Sequence, residues 1–146
     1  MIHAASCVRN GRAFLFMGVS GAGKTTISRL APPGATLLTD EISYVRRTGN
    51  TYQAFGTPFS GELAQPGENV NAPLRAVYVL VQGPENKVER VSAPVALREL
   101  MKSILFFAQD ERLVDRVFTS ACRMAEAVSF YRLTFLPDRR VWSLIQ

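Results

Sequence analysis

The sequence has few cysteines and no long apolar run, which argues against a disulfide-stapled domain and against a membrane span. Cys7 and Cys122 are its only cysteines among 146 residues, and their spacing does not fit a metal site. We expect both to be buried, reduced thiols. The longest apolar runs, residues 13–17 and 76–81, are far too short to cross a bilayer. The first residues lack the basic region and apolar stretch of a signal peptide, which predicts a cytoplasmic protein.

A basic segment is also missing, although 17 Lys and Arg against 12 Asp and Glu give a net charge of +5. The basic residues are scattered, with adjacent pairs only at Arg46-Arg47 and Arg139-Arg140 and no interleaved aromatic residues. We therefore expect no nucleic acid partner. Hydrophobic residues make up 47% of the chain and charged residues 20%, which is typical of a globular protein. The length predicts one domain over residues 1–146.

The first third of the chain predicts a strand hairpin, a glycine-rich loop, a short helix and a further strand. Asn10-Gly11 is a strong type I′ turn signal between two apolar segments, and Pro32-Pro33-Gly34 ends the helix. The predicted elements are strands over residues 2–8 and 12–17, a helix over 24–30 and a strand over 36–39. This order is typical of a βαβ unit, so the strand before the glycine-rich loop and the strand before Asp40 should be adjacent and parallel.

The remainder predicts antiparallel strands, a long loop and two longer helices. A loop rich in glycine and proline covers residues 56 to about 73, and residues 83–86 form a hairpin turn. The other predicted elements are strands over 42–46, 51–55, 74–81, 87–91 and 130–136, helices that begin after Ser92 and Asp110, and a short terminal helix from 137–138. The fold class is therefore α/β, a single P-loop domain with a mixed parallel and antiparallel sheet flanked by helices.

Two apolar segments near the second long helix are expected to join the core. Residues 104–107 precede the helix as a continuous apolar run. Within the helix the apolar positions follow helical spacing: Leu113, Val114, Val117, Phe118, Ala121 and Met124. An exposed part of this surface would serve self-association, so a homo-oligomer is left open.

The glycine-rich loop is the strongest functional motif. Its eight residues follow an apolar strand and open a helix, which is the arrangement of a phosphate-binding P-loop. Gly18, Gly21 and Gly23 allow a close backbone approach, so that consecutive N–H groups face the phosphates. Lys24 should reach the β- and γ-phosphates, and the Thr25 hydroxyl should bind Mg²⁺. The predicted nucleotide-binding residues are Gly18, Val19, Ser20, Gly21, Ala22, Gly23, Lys24, Thr25 and Thr26.

Two acidic residues follow the strand after the loop. Asp40 lies at the carboxyl end of that strand, where parallel strands present their ends to a common crevice. A carboxylate there can bind Mg²⁺ or accept a proton from an attacking hydroxyl. Glu41 is the second acid, although strand alternation would point it away from Asp40 unless the strand has already ended.

A GTPase is a weaker interpretation. Asn86-Lys87-Val88-Glu89 superficially resembles the guanine-reading Asn-Lys-x-Asp signature, but Glu replaces the Asp and no Asp-x-x-Gly segment occurs in the chain. A solvated hairpin turn explains these residues better.

The order of these motifs resembles the catalytic domain of the HPr kinase/phosphorylase family, which is related in fold to phosphoenolpyruvate carboxykinase. His3 precedes Gly18 by 15 residues, as a histidine does in that family, and residues 37–41 look like its Leu-x-x-Asp-Asp segment. Residues 56–62, Gly-Thr-Pro-Phe-Ser-Gly-Glu, are similar to stand-alone HPr-kinase-related serine kinases, as are residues 131–138. The glycine-rich signature near the end of the family's catalytic domain is missing here, so HPr itself is not the expected acceptor.

The resemblance implies roles for individual residues. Asp40 would act as general base toward a serine hydroxyl, Glu41 would bind Mg²⁺, and His3 would lie near the phosphates. Apart from the resemblance, Thr57, Ser60 and Glu62 lie in a loop that leads away from Asp40, which would either cover the acceptor side or be a structural loop with a proline turn. Developing charge on the phosphoryl group also calls for an arginine, and the candidates that flank strands are Arg75, Arg90 and Arg132.

These observations predict a phosphotransferase that uses Mg²⁺ and ATP, or another nucleoside triphosphate, as cofactors. Lys24 and Asp40 would be catalytic together with His3, and the metal would be held by Thr25, Asp40 and Glu41. The acceptor would be a hydroxyl group, first of all a serine, in a peptide, a protein or a small molecule. The alternative is a module that senses nucleotide without turnover. A kinase of the adenylate-kinase type is disfavoured because it would need an arginine-rich lid.

Overall fold

The computed structural model describes residues 1–107 and 109–146, and within them eight strands combine with three α-helices and a terminal 3₁₀ turn. The strands are β1 (Ile2–Arg9), β2 (Arg12–Met17), β3 (Thr36–Thr39), β4 (Ile42–Thr48), β5 (Thr51–Phe55), β6 (Asn71–Gln82), β7 (Lys87–Arg90) and β8 (Ser129–Phe135). The helices are α1 (Lys24–Arg29), α2 (Ala93–Ser103) and α3 (Glu111–Ala127), and the 3₁₀ turn is Arg139–Ser143. None of the described helices is long and apolar enough to cross a membrane.

The first hairpin forms as the sequence predicts. Arg9 pairs with Arg12 across a two-residue turn, in which Asn10 has φ 53° and Gly11 has φ 71°. Both values lie in the left-handed region that a type I′ turn requires and that Asn and Gly tolerate best. The turn therefore sets the register of β1 against β2, in which Ala4 pairs with Met17 at the carboxyl end of β2.

The strands form a mixed sheet that closes on itself as a small barrel. The pairs β1–β2, β1–β4, β4–β5 and β5–β6 are antiparallel, and β2–β6 is parallel and closes the ring. Two further strands extend the sheet beyond β6, since β8 pairs parallel with β6 and β7 pairs antiparallel with β8. The predicted α/β class with a mixed sheet and flanking helices agrees with this arrangement.

The predicted adjacency of β2 and β3 is wrong. β3 pairs antiparallel with β1, and β1 pairs antiparallel with β2, so β3 and β2 run in the same direction with β1 between them. The physical reason is that β1 and β6 occupy the two edges of β2. No edge of β2 is left for a crossover strand.

The predicted hairpin at residues 83–86 is also wrong, because β7 pairs with β8 and not with β6. Strand β8 carries Phe130, Leu133 and Phe135, all buried, and takes the inner position between β6 and β7. Strand β6 starts at Asn71, three residues before the predicted start, and includes Pro73 opposite Gln53.

The core lies on both faces of the sheet because side chains alternate along β2 and β6. Leu15 and Val77 point toward the helices α2 and α3, while Phe16 and Tyr78 point toward α1 and the 3₁₀ turn. On the second face the rings of Phe16 and Tyr78 stack 5.7 Å apart, and the indole N–H of Trp142 donates to the carbonyl of Ile27 at 3.2 Å. Residues near the end of the chain thus hold α1 against the sheet.

The helix α3 is less buried than its apolar spacing predicts. Its carboxyl-terminal half packs on the sheet through Ala121 and Met124, but Leu113, Val114 and Phe118 are exposed. Phe107 is 87% exposed, so the predicted burial of residues 104–107 fails there. Apolar periodicity predicts which face of a helix is apolar, but it does not predict how much of that face meets a partner.

The segment between β5 and β6, residues 56–70, is called the anchored loop because its backbone docks on β3. The amide of Thr57 donates to Leu38 O at 3.0 Å, and the amide of Glu68 donates to Leu37 O at 2.9 Å. A Cβ atom at Gly67 would overlap Leu38 O, and one at Gly56 would overlap Glu68 O. Both positions require glycine because two backbone segments touch there.

We expect Cys7 and Cys122 to differ in reactivity. Cys7 is buried in β1, and burial raises its pKa to about 12, which leaves little of the thiolate that reacts with alkylating agents. Cys122 is only partly buried. Iodoacetamide at pH 8, followed by mass spectrometry, should label Cys122 in the folded protein and Cys7 only after denaturation. Equal labelling of both thiols in the folded protein would contradict the buried position of β1.

The contact between the anchored loop and β3 predicts a large effect of Gly67→Ala. The added methyl group overlaps a backbone oxygen that cannot move aside, so unfolding should require about 3 kcal/mol less free energy. Gly34→Ala is the matched control, because Gly34 has φ 85° but open space around it and should lose only about 1 kcal/mol. Urea unfolding followed by circular dichroism measures both variants, and equal losses would show that the loop does not dock on β3.

Candidate functional site

The glycine-rich loop, Gly18 to Thr25, connects the carboxyl end of β2 to α1. Gly21 and Gly23 have φ of 78° and 107°, values that side chains rarely adopt. A Cβ atom at Gly23 would also lie 2.6 Å from the ring of Phe135, and one at Gly18 would lie 2.8 Å from the Cβ of Ala22. The glycines are thus required both by backbone conformation and by close packing beneath the loop.

Hydrogen bonds brace this loop in its present shape. The side-chain amide of Gln82, at the end of β6, donates to Gly21 O at 2.6 Å, and the amide of Ala22 donates to Val19 O at 3.0 Å. The ammonium group of Lys24 is folded back and donates to Gly18 O at 3.1 Å and to Val19 O at 3.4 Å. Lys24 is buried, and its positive charge faces two neutral carbonyl groups. An anion at the loop would bind the ammonium group more strongly than these carbonyl groups do.

Asp40 follows β3 and is 1% exposed. Its Oδ1 accepts a hydrogen bond from the amide of Gly61 at 2.7 Å, and its Oδ2 accepts one from the amide of Leu63 at 2.8 Å. The neighbouring Thr39 hydroxyl donates to Phe59 O at 3.0 Å. Asp40 therefore fastens the anchored loop to the end of β3, and each of its oxygens keeps a further lone pair.

Glu41 lies beside His3 because β1 and β4 are paired there. His3 stands opposite Ile42 in the register, and the amide of Ala4 donates to Glu41 O at 3.1 Å. The His3 Nε2 and the Glu41 Oε1 are 3.3 Å apart, with the two side chains 38% and 41% exposed. A Cβ atom at Gly61 would lie 2.5 Å from Glu41 Oε2 and 3.1 Å from Asp40 Oδ2, so both carboxyl groups converge on this glycine.

These groups line one polar cavity of about 230 Å³, called the loop cavity. The loop cavity is lined by His3, Ser20, Gly21, Gly23, Lys24, Thr25, Thr26, Asp40, Glu41 and Glu62. The structure thus brings together every predicted catalytic and metal-binding residue and most of the predicted nucleotide-binding residues. Gly18, Val19 and Ala22 do not line it.

The remaining loop residues line a second cavity of about 440 Å³ on the other side of the glycine-rich loop. Its walls are largely apolar and come from the ends of β6 and β7 and the start of α2: Val79, Leu80, Val81, Val91 and Val95. Arg132 and Glu99 also line it, and Ser20 and Gly21 border both cavities. A polar cavity and a largely apolar cavity therefore meet at the glycine-rich loop.

Other residues singled out in the sequence lie away from the loop cavity or hold the structure. The Thr57 hydroxyl donates to Ile42 O at 2.9 Å within the body of the protein. Arg75 and Arg90 are exposed, and neither they nor Ser60 line the loop cavity. Asn86 accepts a hydrogen bond from the amide of Leu136 at 2.9 Å, which is a structural role.

Sequence reasoning missed the amides of Gly61 and Leu63 and the side chain of Gln82. Backbone amides carry no side-chain signature, so no motif could single out the two that bind Asp40. Gln82 could have been found only from the parallel pairing of β2 and β6, which brings the end of β6 beside the glycine-rich loop.

No group of three or more His, Cys, Asp and Glu side chains suited to a metal ion occurs among residues 1–107 and 109–146. The loop cavity does combine a hydroxyl group, Thr25, with the carboxylates of Asp40 and Glu41. Mg²⁺ is commonly held by one or two carboxylates together with the phosphates of a substrate, so this donor set fits it only in company with a phosphate ligand.

Fold and site together define a mixed α/β domain in which a small barrel presents a glycine-rich loop to an acidic, polar cavity. The chain belongs to the family described as SynChlorMet cassette protein ScmC, whose model matches residues 1–146. No curated protein matches the chain. Among solved structures, the Hpr(Ser) kinase/phosphatase from Coxiella burnetii matches with a TM-score of 0.48 and 12% identity, over 98% of this chain and 89% of that one. That likeness is distant, and the kinase/phosphatase activity is that protein's own.

The hydrogen bonds of Asp40 predict a local effect of Asp40→Asn. The new amide group can accept through only one oxygen, so one backbone donor of the anchored loop loses its partner. The free energy of unfolding should fall by about 1 to 3 kcal/mol, and the amides of Gly61 and Leu63 should exchange with deuterium at least tenfold faster. Glu41→Gln is the control, because Glu41 is partly exposed and accepts neither of these amides. Unchanged exchange at both amides in Asp40→Asn would rule out the fastening role.

Proposed function

We propose that this protein binds a nucleoside triphosphate with Mg²⁺ and transfers the γ-phosphoryl group to a hydroxyl acceptor. The observation that carries the proposal is the joint lining of the loop cavity by Lys24, Thr25, Asp40 and Glu41 around the glycine-rich loop. A phosphate-binding motif, a cation and two carboxylates are the parts that phosphoryl transfer requires.

Binding would start with the glycine-rich loop and Lys24. The left-handed conformations at Gly21 and Gly23 turn the loop backbone so that amides can face an anion. The Lys24 ammonium group would exchange its two carbonyl partners, Gly18 O and Val19 O, for phosphate oxygens. This exchange is favourable because a phosphate oxygen carries negative charge and attracts the ammonium group more strongly than a neutral carbonyl oxygen does.

Thr25, Glu41 and Asp40 would hold the Mg²⁺ ion together with the phosphates. When bound, the ion neutralises charge that develops on the transferred phosphoryl group. His3 lies 3.3 Å from Glu41 and would orient that carboxylate toward the cavity. Glu41 is the more exposed of the two acids, which makes its side chain the freer one to follow a ligand.

The acceptor would enter beside Glu62, which lines the loop cavity from the anchored loop. As the acceptor oxygen bonds to the γ-phosphorus, the bond to the leaving diphosphate breaks, and the hydroxyl proton passes to Asp40. The two amides on Asp40 would hold this carboxylate in a fixed direction throughout. Catalysis would rest on positioning and on charge stabilisation.

A second function is a nucleotide sensor without turnover. It is supported by the same bonds of Asp40, since a carboxylate that is 1% exposed and accepts from two amides already has a structural role. In a sensor, nucleotide binding would move Lys24 and the glycine-rich loop, and a partner protein would respond to that movement.

Phosphate transfer from γ-labelled ATP with Mg²⁺ tests the proposal, with free serine, a pool of serine peptides and cell extract as acceptors. We expect label in one of these acceptors and at least a hundredfold loss in Lys24→Ala, since an uncompensated phosphate charge costs several kcal/mol. Lys87→Ala is the matched control, because Lys87 is 52% exposed and pairs with Glu89 on the outer strand β7. It should keep full activity.

Binding of a fluorescent ATP analogue separates the outcomes. Binding without transfer or hydrolysis would replace the kinase by the sensor, whereas no binding in the presence of Mg²⁺ would overturn both. Glu41→Gln should bind nucleotide but need more Mg²⁺ for half-maximal transfer, since it removes one negative ligand. An unchanged Mg²⁺ requirement would remove Glu41 from the proposed metal site.

A further inference from the structure

A groove of about 670 Å³ lies between the hairpin β4–β5 and the helices α2 and α3. It shares none of its lining residues with the loop cavity, and the proposed phosphoryl transfer does not use it. Its lining is largely apolar and includes Ile2, Tyr52, Leu100, Leu113, Val117 and Met124. Here the unexpectedly exposed end of α3 faces a concave apolar surface.

The helix α3 presents one continuous face to the groove. Leu113, Val117, Ala121 and Met124 follow each other at three- or four-residue spacing and lie on one side of the helix. Burial increases along this face, from Leu113, which is exposed, to Met124, which is buried in the core. The groove therefore has a floor that is continuous with the core and a wall that is open to solvent.

Four arginines surround this apolar surface, and no acidic residue lines it. Arg46 and Arg47 come from β4, and Arg116 and Arg123 come from α3, two helical turns apart on the groove side. All four are exposed. In the part of the chain that the structure describes, none of them pairs with a carboxylate.

The hydroxyl group of Tyr52 lies near arginines of two different elements, Arg47 of β4 and Arg123 of α3. Burial raises the pKa of Tyr52, while Arg47 and Arg123 act in the opposite direction because their charge favours the phenolate. One arginine belongs to β4 and the other to α3, so both lie close enough to Tyr52 to act on the same hydroxyl group. A negative group in the groove would meet positive charge from both walls.

We propose that this groove docks an acidic polypeptide segment of a partner protein. The apolar side chains of that segment would pack on the groove floor, and its carboxylates would pair with the arginines. A second copy of the chain fits less well, because a two-fold contact through this face would bring the same arginines of both copies together. Nucleic acid also fits less well, because its phosphate backbone has no apolar groups to bury in the groove.

The probe for the test is a fluorescein-labelled 16-residue peptide of Glu and Leu, with Leu at helical spacing. We expect it to bind the full chain at 50 mM NaCl and to lose at least tenfold in affinity at 500 mM NaCl, since salt screens exposed charges. Two analogues test the two parts of the surface. In the first analogue Gln replaces Glu, which removes the negative charge. In the second analogue Ser replaces Leu, which removes the apolar contacts. Each analogue should bind at least tenfold more weakly than the Glu-Leu peptide.

The double variant Arg116→Glu/Arg123→Glu should weaken binding of the Glu-Leu peptide at least tenfold. The control is Arg112→Glu/Arg139→Glu, which makes the same change in net charge at two exposed arginines outside the groove. It should bind nearly as the wild type does. Circular dichroism should show that both variants are folded, as expected for surface positions.

Three results would overturn the proposal. Equal weakening by the two double variants would mean that net charge alone attracts the peptide. A dimer of the wild type that Arg116→Glu/Arg123→Glu converts to a monomer would assign the groove to a second copy. Binding to phosphatidylserine vesicles or to polyadenylate, without binding to the Glu-Leu peptide, would assign the arginines to phosphate groups instead.

Discussion

The candidate site depends on the two hydrogen bonds that the Asp40 carboxylate accepts from Gly61 and Leu63. They join the end of β3 to a loop that is more than twenty residues away in the chain, and the carboxylate that accepts them is 1% exposed. A buried carboxylate is stable only with such partners. The anchored loop in turn brings Glu62 to the loop cavity and covers the edge of β3. The acidic wall of the site is therefore organised around backbone amides, which explains why Gly61 has no room for a side chain.

The position of β1 accounts for the other half of the site. As the hairpin partner of β2, it runs between the glycine-rich loop strand and the strand that ends before Asp40. Its amino-terminal end then pairs with β4, and that pairing sets His3 beside Glu41. A simple βαβ unit would bring the glycine-rich loop and Asp40 together without placing a histidine there. The position of β1 between β2 and β3 thus adds the imidazole group of His3 to the loop cavity.

Local features of the fold could be predicted from the sequence, and long-range features could not. The turn at Asn10-Gly11 and the cap at Asp110 depend on neighbouring residues, and the structure has both where the sequence predicts them. The position of β3 beside β1 and of β7 beside β8 depends on which strand edges other strands have already taken. Most of the predicted site residues line the loop cavity, and they could be predicted because a short motif and a strand end carry strong local signals. The bonds of Asp40 and the exposed half of α3 carry none, since they depend on tertiary packing.

The packing of Trp142 beneath α1 has a consequence for biosynthesis. Trp142 bonds to Ile27 across 115 positions of sequence, and Arg9 donates to the carbonyl of Trp142. The helix that follows the glycine-rich loop is therefore completed on one face by a residue that is synthesised 115 positions after its partner Ile27. While the chain emerges from the ribosome, the amino-terminal hairpin can form early because its contacts are local. The glycine-rich loop and the helix after it therefore gain their full support only after Trp142 has left the exit tunnel.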